Sequence, residues 1–278
     1  MGYLHVIREN KMLYFGVFLV VLVLLTAIFA PLISPSDPNE QNILGRLQSP
    51  SAQHLCGTDK YGRDVLSRII WGARASITIA LLSMGISMIV GVSIGMFAAY
   101  YGRWVDKLTI RLVDILMSFP TLILGALIAA VLGSGFYKVI LAIGIAFVPR
   151  FIRLARAPVL SIRETVYVEA AKAVGASELR ILTRHVLPNA ITEILVVGTL
   201  WLATAIRVEA SLSFLGLGVQ PPTASWGNMI RQGVDRLASA PWLALFPGLA
   251  VLVLVFGINL VGDGLRDVFD PRFQSPKR

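Results

Sequence analysis

The chain of 278 residues has one cysteine, three histidines and charged residues at only 15% of its positions. Each scarcity excludes something. Cys56 has no second cysteine to pair with, so neither an intrachain disulfide nor dithiol redox chemistry is supported. His5, His54 and His185 all lie outside the long apolar runs. No Gly-x-x-x-x-Gly-Lys-Ser/Thr phosphate loop occurs, so ATP is not held by that route. Strand alternation is missing from the apolar segments, which argues against a membrane β-barrel. Internal repeats and low-complexity tracts are lacking too.

What is abundant is apolar length. Apolar residues make up 56% of the chain, with a mean hydropathy of +0.74, too high for a water-soluble domain. The uncharged stretches 12–36, 75–102, 115–137 and 237–262 each reach the roughly 20 residues with which an α-helix crosses a bilayer. Residues 136–157 form a further apolar segment with Arg150, Arg153 and Arg156 near its end. Their i, i+3 spacing puts all three on one face, to snorkel toward headgroups or to line an interface. Residues 190–214 are interrupted by Glu193, Arg207 and Glu209. The expected fold is an all-α polytopic membrane protein with six transmembrane helices. An amino-terminal part, 1–74, would hold an anchor helix and an outer loop, and 75–278 the five-helix core. The first span shows no clear cleavage pattern and is expected to stay in the membrane.

Lysine and arginine placement orients the chain. With both termini cytoplasmic, sixteen of the 25 basic residues fall inside, eight outside, and Arg207 within a span. The inner set includes Arg8, Arg103, Lys107, Arg111, Arg163, Lys172, Arg272, Lys277 and Arg278. The formal charge of +9 therefore reads as a topology signal and not as a nucleic-acid surface, because the charges sit between spans.

Outside, residues 35–74 form a long segment around Gly57-Thr58-Asp59-Lys60-Tyr61-Gly62-Arg63-Asp64, where Asp64 or Ser67 could start a helix. His54, Cys56 and Asp59 invite a metal reading, but three irregular donors in one loop are too few for a strong site. In a second outer segment, 215–241, Trp226 and Trp242 suit an interfacial aromatic belt. Within the second span, Gly91-Val92-Ser93-Ile94-Gly95 matches the spacing of a hydrolase elbow, yet on an uncharged helix it reads better as a small-residue packing face. Arg207 and Glu209 are the sharper oddity, since ionisable groups within a span are costly. At i, i+2 they do not face each other, and a contact with a water-filled path or a partner chain, or a place near the outer interface, is the expectation.

The loop 158–189 is polar and helix-prone. Ser161-Ile162-Arg163-Glu164 has the pattern of a capping box. Val166, Ala170, Ala173 and Val174 then recur at helical spacing, leaving Glu169, Lys172 and Glu178 to solvent or a partner. Gly175 stands where a helix needs a left-handed cap or a close backbone approach. A second short helix is expected from Ser177 to about His185, ending near Pro188. The result is a helix–turn–helix between two spans.

Glu169-Ala170-Ala171, three residues, Gly175 and then Leu187-Pro188 resemble the "EAA" loop of ABC importer permeases. His185 stands where that signature has an aliphatic residue, and Val186 is expected to supply the apolar contact. Further blocks are similar to the C-type permease of the dipeptide/oligopeptide/nickel group: Gly57-Thr58-Asp59 with Gly62-Arg63-Asp64, Ser211 to Gly218, Gln220-Pro221-Pro222 with Trp226-Gly227, and Asn259 to Asp267 with Asp270-Pro271. The resemblance implies a type I importer permease fold in the bacterial inner membrane. It implies a B-type permease partner, two ATP-binding subunits that carry ATP and Mg, and an extracytoplasmic substrate-binding protein. This chain would bind no cofactor or metal and catalyse nothing. Glu169, Ala170, Ala171, Gly175, Leu187 and Pro188 would couple it to the ATPases. The cargo implied is dipeptides or oligopeptides, with nickel, glutathione or other small solutes as alternatives. A self-sufficient secondary transporter is the rival class, which would show inverted repeats or broken helices at mid-membrane, but no paired repeat is found in the sequence.

Overall fold

The computed structural model describes residues 10–269. His5, Arg8, Asp270-Pro271, Arg272, Lys277 and Arg278 lie outside them. Apolar sequence becomes helix because hydrocarbon offers the backbone no hydrogen-bond partner, so each segment must satisfy its own. The main helices are α1 (Lys11–Ile28), α2 (Val65–Tyr101), α3 (Arg103–Met117), α4 (Thr121–Leu132), α5 (Phe136–Ile162), α6 (Val166–Ala173), α7 (Leu187–Phe214), α8 (Trp226–Val234) and α9 (Trp242–Phe269). Beyond them, Thr58 and Asp64 form an isolated antiparallel bridge.

Four helices, α1, α2, α7 with its lead-in from Glu178, and α9, are long and apolar enough to cross a membrane. The pair α3 and α4 bends by 91° and would make a fifth crossing if counted as one. The six spans expected from sequence exceed this count. The shortfall is α5, which is 27 residues long but carries Lys138, Arg150, Arg153 and Arg156.

The apolar stretch 115–137 is not one helix. It breaks at Ser118-Phe119-Pro120, where Pro120 removes a donor and disfavours helical geometry at Phe119. Conversely, α2 starts well before its apolar run. The Asp64 carboxylate accepts from the Ser67 amide at 2.7 Å and the Ser67 hydroxyl at 2.8 Å, which caps the helix at Val65.

α2 packs chiefly against α5. A Cβ on Gly91 would lie 2.5 Å from the Phe151 Cβ, and one on Gly95 2.5 Å from the Ile152 carbonyl oxygen. Ser83 and Ser87 hydroxyls donate across the same seam to the carbonyls of Ile140 (3.0 Å) and Gly144 (2.6 Å). Small residues let the backbones approach, and the short hydroxyls bond across, as expected for helices in lipid. α1 lies on α9 by the same means, with Gly16 against Leu260 and Gly264 against Leu13. Trp226 departs from the expected interfacial belt. It is buried, with Nε1–H donating to the Ile69 carbonyl at 2.9 Å, because α8 packs on α7 and α9 and sets its first residue against Gly72 of α2. Trp242 is half-buried and donates to the Thr58 carbonyl at 3.3 Å.

Candidate functional site: the loop between α5 and α7 and its anchors

The capping box expected at Ser161–Glu164 does not form. α5 continues through Ile162, and the Arg163 amide donates to the Val159 carbonyl at 3.0 Å. The Arg163 guanidinium donates to the Ala99 carbonyl at 2.7 Å, tying this end of α5 to the end of α2. α6 starts one turn later, with the Thr165 carbonyl accepting from the Val168 and Glu169 amides.

α6 turns Val168 fully inward and half-buries Ala171, while Glu169, Ala170, Ala173 and Val174 are exposed. Val166 and Val174 are 81% and 84% exposed, so the apolar face read from the sequence points away from this chain's own core. Gly175 closes the helix at φ +79°, with the Ala176 amide donating back to the Ala171 carbonyl at 3.0 Å. That is a Schellman cap. Among the described residues nothing lies within 4 Å of where a Cβ would stand, so the glycine is required by its dihedral and not by crowding.

The second half of the loop differs from expectation. Residues Glu178–Ile181 form one α-turn, Leu182–Val186 a π-turn, and the chain then runs into α7 without ending at Pro188. The π-turn is the physical reason. Its wider ring, with the Leu187 amide donating to the Leu182 carbonyl, accommodates a proline that has no N–H to give. Leu187 is half-buried and Pro188 exposed. Val186 is fully buried in this chain's own core, while the His185 ring stands 6.3 Å from that of Tyr167.

Sequence reasoning missed how this loop is held. Arg150 donates to the Thr121 hydroxyl at 2.6 Å, Arg153 pairs with Asp114, and Arg156 forks onto Asp106 through Nε and Nη2 at 2.7 Å each. The three guanidiniums thus rivet α5 to α3 and the start of α4, choosing an interface over headgroups. A signal existed. Asp106 and Asp114 are the only acids between Asp64 and Glu164.

Arg207 and Glu209 part company, as their spacing implied. Arg207 is exposed and donates to the Thr204 hydroxyl at 3.0 Å. Glu209 is fully buried within this chain and accepts from the Ser213 hydroxyl at 2.9 Å. Among the described residues no three His, Cys, Asp or Glu side chains gather as a metal would need. His54 Nδ1 lies 2.9 Å from Asp64, and Asp59 takes Arg63 at 2.7 Å. Burial, and then the charge of Asp64, push the Cys56 thiol above its ordinary range.

The comparisons with known proteins agree with this architecture. Residues 91–275 match the family described as binding-protein-dependent transport system inner membrane component, and 4–50 match the N-terminal TM domain of oligopeptide transport permease C. The chain is 43% identical over 269 residues to a dipeptide transport system permease protein of Alkalihalophilus pseudofirmus, covering 97% of this chain and 88% of that one. It is 37% identical to a glutathione transport system permease protein of Pectobacterium atrosepticum, over 97% of this chain and 89% of the relative. In fold it resembles a chain of the inward-facing MetNI methionine ABC transporter, at TM-score 0.59 and 19% identity over 73% of this chain and 97% of that one. The chain belongs to the family of binding-protein-dependent transport system inner membrane components, as a non-catalytic permease subunit of an ABC importer.

Proposed function

We propose that this permease forms half of the translocation path for dipeptides or oligopeptides delivered by an extracytoplasmic binding protein. The observation that carries the reading is the exposed face of α6. A short helix with an outward apolar stripe, a left-handed stop at Gly175 and a tether to α2 through Arg163 has the stiffness a lever needs. Relatives named as dipeptide and peptide permeases support the cargo.

In this reading two ATP-binding subunits, which carry ATP and Mg, dock on Glu169, Ala170, Ala171 and Gly175, with Leu187 and Pro188 at the return into α7. A B-type permease completes the path in the bacterial inner membrane, with both termini cytoplasmic. Six spans are counted when α5 crosses beside the bent pair, and residues 1–74 act as anchor and outer loop to the 75–278 core. The path or partner contact falls to Arg207, whose side chain is exposed, while Glu209 holds its own chain together. Docking of the ATPases moves α6, and the arginine contacts pass that motion from α5 to α3.

Uptake of a labelled dipeptide by the reconstituted complex, with and without ATP and binding protein, tests this. Uptake that persists without the ATPases overturns it. The glutathione-named relatives favour one second reading, and competition between unlabelled glutathione and the dipeptide decides between them.

A further inference from the structure

At the end of the molecule remote from α6 lies a polar cavity of about 290 Å3. Ser213 near the end of α7 lines it, and the 28 residues of α7 separate it from the coupling loop by about 42 Å. Its walls come from the outer block, through Lys60 and Tyr61, from the turn after α7, through Gln220, and from α8, through Asn228 and Arg231.

The side-chain amides on these walls are spent. The Gln220 amide donates to the Gly216 and Gly218 carbonyls at 3.0 and 3.2 Å, and that of Asn228 to the Val219 carbonyl at 3.4 Å. The cationic donors are not. Among the described residues neither Lys60 nor Arg231 has an ion pair or hydrogen bond, and the Lys60 ammonium only rests 4.8 Å over the Tyr61 ring. Asp235 is the one acid on the wall, and no ion pair joins it to either cation among the described residues. Two unspent cations against the single charge of Asp235 leave the recess net positive, and a recess focuses that potential more than a flat surface does. A planar guanidinium and an ammonium lining one recess suit a carboxylate better than a neutral group.

We propose that Lys60 and Arg231 bind a carboxylate presented from the side opposite the coupling loop. The source is an acidic side chain of the binding protein or the terminal carboxylate of the peptide. The proposal rests on the importer reading above.

The test uses the complete importer in lipid nanodiscs, with Lys60→Gln/Arg231→Gln and the charge-keeping Lys60→Arg/Arg231→Lys. Labelled binding protein is titrated onto each, and uptake of alanyl-alanine is compared with that of its C-terminal amide. If the binding protein supplies the carboxylate, its Kd rises about tenfold in the neutral pair and loses most of its salt dependence, while the charge-keeping pair stays near wild type. If the peptide supplies it, Kd holds and the preference for free acid over amide collapses. Wild-type Kd and wild-type acid preference in the neutral pair overturn the proposal. Failure of the importer reading itself is seen earlier, as a wild-type complex that neither docks the binding protein nor takes up substrate with ATP.

Discussion

Arg156 on α5 holds Asp106 on α3 by a two-pronged contact, Nε and Nη2 each 2.7 Å from a different carboxylate oxygen. The residues are fifty apart in sequence. Both prongs are charge-assisted, and the fork fixes the relative rotation of the helices as well as their distance.

Losing that fork is expected to loosen α3 from α5. Arg156→Lys keeps the charge but loses the planar geometry, and with a site partly open to solvent the cost is about 1–2 kcal/mol. A double-mutant cycle with Asp106→Asn, read by thermal unfolding of the purified complex, should show the two changes to be less than additive. Full additivity would mean the contact contributes nothing.

At Gly175 the constraint is the positive φ of +79° with open space around it. Gly175→Asn should therefore be tolerated far better than Gly175→Val, since asparagine enters the left-handed region at small cost and a β-branched residue does not. The expected result is normal membrane insertion for both, with ATPase co-purification kept by Asn and lost by Val. Equal retention by the two contradicts a dihedral requirement.

Along α2 the glycines are not equivalent. Gly91→Ala would push a methyl against Phe151 and the Val148 carbonyl, whereas Gly85 has open space around it. Gly91→Ala is expected to destabilise by about 1–3 kcal/mol through overpacking. Gly85→Ala is expected to be neutral or stabilising by up to about 1 kcal/mol through helix propensity. Melting temperatures in one detergent separate these outcomes.

Cys56 should be a sluggish nucleophile. Its thiol is half-buried and raised above the ordinary range by burial and by Asp64, so less thiolate exists at any given pH than in an exposed cysteine. Maleimide labelling should lag that of an unfolded control at pH 7.5–8 and gain more as the pH rises. Labelling at the control rate at both pH values argues against the raised pKa.

Glu209 is buried within its own chain, where the Ser213 hydroxyl donates to one of its carboxylate oxygens. Glu209→Gln should keep the Ser213 contact and preserve assembly, and Glu209→Leu, which orphans a buried hydroxyl, should cost about 1–3 kcal/mol. Arg207→Gln should leave stability untouched. A transport defect in Arg207→Gln with normal assembly would support its contact with the path or partner.

Much of the site could be read from the chain. Glycine at 175 already called for a left-handed stop, and Val166, Ala170, Ala173 and Val174 already shared a face. What escaped was which way that face pointed and how the loop began and ended. The Ser161–Glu164 pattern was overridden because Arg163 finds the Ala99 carbonyl, a partner the local sequence does not contain. Pro188 looked like a stop but sits just past a π-turn that absorbs it, and local propensity carries no sign of that bulge.

The sequence by itself determined that this is a helical membrane protein, because long uncharged runs without strand alternation satisfy their backbones in lipid only as helices, and the resemblance of separate blocks along the chain pointed to an ABC importer permease. Tertiary structure alone decided where the cations went. Arg150, Arg153 and Arg156 chose Thr121, Asp114 and Asp106 over headgroups, Trp226 left the interface for the core, and Glu209 went inward while Arg207 went out. Each of these choices depends on what distant segments bring within a few ångströms, and spacing along one helix holds no record of that.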